Sequence, residues 1–98
     1  MACKLIWSPS ARIDLQELIY FIAEQNPGSA RRFGDKLFQA VERLSIFPES
    51  GRIVPEFGDP LIREIIRKPC RIVYRLDPEK LIVEIVRIWH SARGIPQI

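Results

Sequence analysis

Histidine is nearly missing from this chain of 98 residues, which has one, His90, and only two cysteines, Cys3 and Cys70. A multi-histidine or Cys/His metal site is therefore out of reach of the sequence. The cysteines stand too far apart for a CxxC redox motif, and in a reducing compartment both are expected as small buried apolar groups. No run approaches the ~20 apolar residues that a membrane span requires. The opening Met1-Ala2-Cys3-Lys4-Leu5-Ile6-Trp7-Ser8-Pro9 lacks the long apolar core of a secretion signal. The expectation is a cytoplasmic protein that uses no membrane, no metal and no cofactor.

What is present is ordinary for a globular domain: 47% of residues are hydrophobic and 28% charged, too apolar for a disordered chain. The length fits one domain, residues 1–98. The net charge of +3 is unevenly spread. Residues 1–49 carry six Lys/Arg and six Asp/Glu, whereas residues 50–98 carry nine against six, so the whole excess lies in the second half. Eleven of the fifteen cations are arginine, the side chain suited to bidentate contact with carboxylate or phosphate. The plain reading is a solvated basic face; the more specific one is an anionic partner, either an acidic protein segment or a nucleic acid.

Lys4 to Trp7 reads as a short strand. Ser8 follows as an N-cap, with Pro9 at the first helical position, where its missing N–H is harmless. Ala11, Leu15, Leu18, Ile19 and Ile22 then form an apolar stripe at helical spacing. Asn26-Pro27 ends this helix and caps the next, because a residue before proline avoids the helical region. Ala30, Phe33, Leu37, Val41 and Leu44 form the second stripe. So short a joint predicts an antiparallel helical hairpin. From Phe47 to Pro60 three prolines and two glycines erase the period and predict a long loop.

Three strands are predicted after it: Leu61 to Arg67, Cys70 to Leu76 and Leu81 to Trp89. Asp77-Pro78-Glu79-Lys80 is the turn of a hairpin between the last two. A regular turn sets Leu76 opposite Leu81. Ile72, Tyr74 and Leu76 then share a core face with Leu81, Val83, Ile85 and Trp89, while Arg71, Val73 and Arg75 share the other face with Ile82, Glu84, Val86, Ile88 and His90. The fold expected is α+β, in the order β-α-α-β-β-β, with the helical hairpin on one face of a small, mainly antiparallel sheet.

Several segments match a known pattern in the correct order over nearly the whole chain. Trp7-Ser8-Pro9, Asp14-Leu15, Tyr20-Phe21-Ile22, Asn26-Pro27, Ala30, Phe33, Leu37 and Leu44 resemble the first half of ParE-type toxins. Phe47-Pro48, Gly51-Arg52, Val54-Pro55-Glu56, Ile62-Arg63-Glu64, Arg71-Ile72-Val73-Tyr74-Arg75 and Val86-Arg87-Ile88-Trp89-His90-Ser91-Ala92-Arg93 resemble the rest. The chain is thereby similar to the RelE/ParE superfamily, closest to the ParE branch, and the order of elements agrees with that fold. The resemblance implies a growth-inhibiting toxin of a type II toxin–antitoxin system, of the kind associated with plasmid stabilisation. It implies a cognate antitoxin whose flexible C-terminal segment folds onto the toxin, and contact with operator DNA only through the antitoxin complex. The target is implied to be DNA gyrase for a ParE-like poison, which catalyses nothing itself, or mRNA in the ribosome for a metal-independent RelE-like nuclease.

Metal-free RNA cleavage needs a base for the 2′-hydroxyl proton, a cation against the phosphorane and an acid for the leaving oxygen. Glu56, Arg71 and His90 are the candidates, and they resemble the Glu, Arg and His of YoeB-like nucleases. The predicted register also sets Arg71 and His90 on one face. The sequence departs from that pattern in three ways. Ser91 follows His90 in place of an aromatic residue, matching Glu56 requires a gap, and only Lys68 and Lys80 lie in the sheet region where such nucleases carry several lysines.

Candidates for binding the target or the antitoxin are Arg52, Arg63, Arg75, Arg87, Trp89 and Arg93. Each also has a structural reading. Arg71 and Arg75 would keep an open sheet face soluble, Arg52 and Glu56 would tie the long loop to the sheet, and Arg63 and Glu64 would form a surface ion pair. Trp7 and Trp89 continue apolar faces and read as packing. A stand-alone nucleic-acid-binding module is the third functional reading, weakened because no aromatic residues interleave with the arginines.

Overall fold

The computed structural model describes residues 2–98. The chain runs through β1 (Lys4–Trp7), α1 (Pro9–Gln25), α2 (Pro27–Arg43), β2 (Arg52–Ile53), β3 (Ile62–Arg67), β4 (Cys70–Asp77) and β5 (Ile82–His90), then a 3-10 turn at Ser91–Arg93. The helix boundaries follow from local chemistry. The Ser8 hydroxyl accepts from the Ala11 N–H at 3.0 Å, and Asn26 closes α1 while its side chain accepts from the Ser29 N–H at 3.0 Å to open α2.

The five strands form one sheet in the order β1-β5-β4-β3-β2. β1 pairs parallel with β5, and every other pairing is antiparallel. The helical hairpin covers one face, as expected, and the core there joins Ala11, Leu37, Val41 and Leu44 to Ile72, Tyr74, Val83 and Ile85. α1 contributes mainly half-buried residues, among them Leu15 and Leu18.

The predicted loop of residues 47–60 contains a strand that the sequence does not announce. β2 is two residues long, pairing Arg52 with Glu64 and Ile53 with Arg63. Beyond it Val54 packs with Ile62 and Val73 in a second small core on the face away from the helices.

The β4–β5 register departs from the predicted one twice. Leu81 adopts a left-handed φ of 54° and joins the turn, where the Asp77 carboxylate accepts from the Lys80 N–H at 3.1 Å. Leu76 therefore faces Val83 rather than Leu81. A shift of two leaves the faces unchanged. Farther along, Tyr74 pairs with Ile85 but Val73 pairs with Arg87, so Val86 is an extra residue in β5. This bulge exchanges the faces of everything after it. Ile88, predicted outward, enters the helix-side core; Trp89, predicted inward, pairs with Arg71 on the opposite face; His90 pairs with Cys70 and lies on the helix side.

Candidate functional site

The sheet face away from the helices carries a connected set of charged side chains. Arg71, at the start of β4, donates from Nη1 and Nη2 to the two carboxylate oxygens of Glu56 at 2.8 and 2.7 Å. Its Nε donates to Glu64 Oε1 at 2.5 Å, and Arg52 Nε donates to Glu64 Oε2 at 2.7 Å. Glu64 is fully buried and Arg71 almost so. Two guanidinium and two carboxylate groups thus balance, which a buried site requires. The local reason is alternation: Glu64 lies between Ile62 and Ile66 on β3 and sits opposite Val73 of β4, on the face that the 52–58 segment covers.

These contacts determine what the groups can do. The Arg71 hydrogen bond comes first among the causes that hold the Glu56 carboxyl down to about 2 from its ordinary 4.5. Such a carboxylate is a weak base at neutral pH. The Arg71 guanidinium is held charged above its usual range, first by Glu56 and then by Glu64. Its charge faces two carboxylates rather than an open position for a phosphate.

His90 is on the other side of the sheet. Its Nδ1 accepts from the Ala92 N–H at 3.0 Å and so caps the 3-10 turn. It lines a small recess of about 180 Å³ with Asp14, Glu17, Leu18, Ile88 and Arg93. The predicted shared face of Arg71 and His90 is corrected by the bulge at Val86. Neighbouring Cys70 is fully buried, and burial first, then the Asp14 charge, pushes its thiol up to about 11.

The remaining candidates fall into separate roles. Arg63 donates to the carbonyls of Pro60 and Gly51 at 3.0 and 3.1 Å, so the predicted Arg63–Glu64 surface pair does not form. Arg75 is half exposed and reaches Glu84 at 3.3 Å. Arg87 bonds both oxygens of Asp14 at 2.7 and 2.8 Å. Trp89 is almost completely buried; its Nε1–H donates to the Gly94 carbonyl at 3.1 Å, and the Arg93 and Arg87 guanidinium carbons stand 4.0 and 4.8 Å from its ring centre. Of the nine cations in residues 50–98, Arg52, Arg71, Arg75 and Arg87 are paired with carboxylates within the chain, so the basic excess rests on the other five.

Sequence reasoning missed the roles of Glu64 and Asp14. A signal for Asp14 was present. It sits three residues after Ala11 and four before Leu18, on the edge of the apolar stripe of α1, where a carboxylate needs a partner. Among the described residues no buried side-chain nitrogen or oxygen lacks a hydrogen bond. No cluster of three or more His, Cys, Asp or Glu side chains among them is arranged to hold a metal ion, and none of their helices is long and apolar enough to cross a membrane.

Comparison with known proteins agrees with this architecture. Residues 5–95 match the family described as the ParE toxin of the type II toxin–antitoxin system parDE. Toxin RelE1 of Caulobacter vibrioides is 33% identical over 95 residues, covering 93% of this chain and 96% of that protein. Among solved structures, the chromosomal ParDE system of P. aeruginosa superposes with a TM-score of 0.70 at 21% identity, covering 91% of this chain and 96% of the other. The RelBE2 toxin–antitoxin complex of Mycobacterium tuberculosis gives 0.62 at 23% identity, covering 92% and 99%. An E. coli RelE mutant in complex with a RelB antitoxin peptide gives 0.56 at 20% identity, covering 100% and 99%. At these identities the structures speak for the shared fold.

Proposed function

The chain belongs to the ParE toxin family of type II toxin–antitoxin systems, and from that premise we propose that it arrests growth as a binding poison of DNA gyrase in the cytoplasm. A cognate antitoxin with a flexible C-terminal segment neutralises it, and operator DNA is reached only through that antitoxin complex.

The observation that carries the choice of target is the dispersal of the acid–base groups. Arg71 and Glu56 neutralise each other on one face, while His90 caps a turn on the other. A transesterification needs base, cation and acid around one phosphate, with the cation free to meet charge that develops in the transition state. A poison that acts by binding needs none of these. The internal pairing of the sheet arginines counts in the same way against a stand-alone nucleic-acid-binding module, which would need them free for phosphates.

The ribosome-dependent nuclease reading draws support from the RelE1 relative and from the adjacency of Glu56 and Arg71. A brief induction experiment separates the two. DNA breaks trapped with gyrase, together with intact mRNA, are expected. Cleaved mRNA without gyrase-linked breaks would replace this reading with the nuclease.

A further inference from the structure

Helix α1 is apolar on more sides than the sheet can cover. Of its 17 residues only Ala11 is fully buried. Leu15 and Leu18 pack half-buried against the core, while Ile13, Tyr20 and Phe21 are 54%, 70% and 60% exposed. Across the hairpin α2 leaves Phe38 48% exposed. A helix that is apolar around so much of its circumference is one covered on a second side.

Trp7, Leu15, Ile19, Tyr20, Ala23 and Phe38 line an open apolar groove of about 720 Å³ along the hairpin. The groove is preformed. The Phe38 ring lies tilted against Trp7, with centres 5.8 Å apart. Gly34 brings α2 so near Ile19 that an added Cβ would stand 3.3 Å from its side chain. Arg12 marks the α1 edge of the groove, and Asp35 and Glu42 flank Phe38 on the far side, one turn before and one turn after it. Among the described residues none of these three charges takes part in an ion pair.

An acidic partner is drawn to the second half of the chain, where the basic excess lies. The first half, which holds the hairpin, has six cations and six anions. An apolar centre flanked by unpaired charges of both signs complements itself. A two-fold axis along the hairpin, passing by Phe38, sets Arg12 of each copy over Asp35 and Glu42 of the other. Each helix is about 25 Å long, and adjacent helices lie about 8–10 Å apart, so the face measures about 500 Å². Two such faces bury about 1,000 Å², the lower bound of a specific interface, which suits a dimer formed at micromolar concentration.

We infer that the outer face of the helical hairpin is an interface between two copies of this chain, with Tyr20 and Phe38 at its centre. The inference does not depend on the choice between gyrase and ribosome.

Sedimentation equilibrium of the full chain alone, over a concentration series, tests the pairing. A monomer–dimer equilibrium with a micromolar Kd is expected. Phe38→Glu sets a charge in the apolar centre and should raise the Kd about tenfold or more. Arg12→Glu brings like charges together and should raise it about tenfold, as should the double variant Asp35→Arg/Glu42→Arg. An equal mixture of Arg12→Glu with that double variant should pair almost as tightly as wild type, because opposite signs again face each other. These charges are exposed, so the mixture decides the matter even if Phe38→Glu fails to fold by circular dichroism. A wild-type chain that stays monomeric overturns the inference, as does a dimer that the charge variants leave unchanged or a mixture that does not re-pair. A monomeric wild type whose affinity for its antitoxin falls with Phe38→Glu would give the face to the antitoxin instead.

Discussion

Arg71 grips Glu56 through two parallel N–H···O bonds of 2.8 and 2.7 Å, fastening the loop after β2 to the first residues of β4. The same guanidinium turns its Nε to the buried Glu64. This latch makes the two carboxylates unequal. Glu64→Ala removes the fully buried member and takes the acceptor from the Nε–H of both Arg71 and Arg52, while Glu56 still faces Arg71, so unfolding in denaturant should show a loss of about 3 kcal/mol. Glu56 is 29% exposed, water can replace it, and Glu56→Gln should cost only about 1 kcal/mol. Equal losses in the two variants would count against the latch.

Stability should follow the titration of the same groups. The folded chain holds Glu56 at about 2, below its ordinary 4.5, so its contribution is complete above pH 4.5 and is lost as pH falls towards 2. Cys70 is displaced upward, from 9.0 to about 11. Its contribution is complete below pH 9 and fades as pH rises through 11. Unfolding free energy measured against pH should be flat between these limits and fall on both sides, and Glu56→Gln should reduce the acid limb.

Gly51 is required for closeness of approach. A Cβ there would lie 2.5 Å from the Tyr74 hydroxyl and 2.6 Å from the Glu64 carbonyl oxygen. The Tyr74 hydroxyl accepts from the Gly51 N–H at 2.9 Å and donates to the Pro48 carbonyl at 2.8 Å. Gly51→Ala should therefore displace the loop and cost about 2–3 kcal/mol. Tyr74→Phe leaves both backbone groups without their partner and should cost about 1–3 kcal/mol. Thermal unfolding of the two variants checks both values.

His90→Ala should leave growth arrest nearly intact. Its ring caps a turn at the Ala92 N–H, and no proton transfer is needed from a binding poison. Growth curves of wild type and variant, with circular dichroism to establish folding, make the comparison. A folded but harmless variant, beside mRNA cleavage by the wild type, would reverse the assignment of target.

Much of the fold was legible because its signals are local. Ser8-Pro9 and Asn26-Pro27 mark helix ends through the geometry of adjacent residues, and the stripes from Ala11 to Ile22 and from Ala30 to Leu44 declare which faces are covered. The burial of Ile72, Tyr74 and Ile85 likewise followed from alternation. The candidate site was legible only as a collection of residue types. Glu56 and Arg71 do meet, but as mutual partners, and Trp89 is buried on the face opposite the one predicted.

The sequence by itself determined the helical hairpin, the β-α-α-β-β-β succession of the main elements, the side of the sheet that the helices cover and the resemblance to the family. Tertiary structure decided the rest: the two-residue β2, the bulge at Val86, the Arg52–Glu64–Arg71–Glu56 network and the Asp14–Arg87 junction. Caps and stripes depend on neighbours within about one or two helical turns, so a short stretch of sequence contains their cause. A bulge depends on what the rest of the sheet must pair with, and a buried carboxylate depends on which guanidinium is brought to it, in one case from 73 residues away. A single extra residue in β5 reverses the facing of every later side chain, and that reversal is why His90 and Arg71 lie on opposite sides of the sheet.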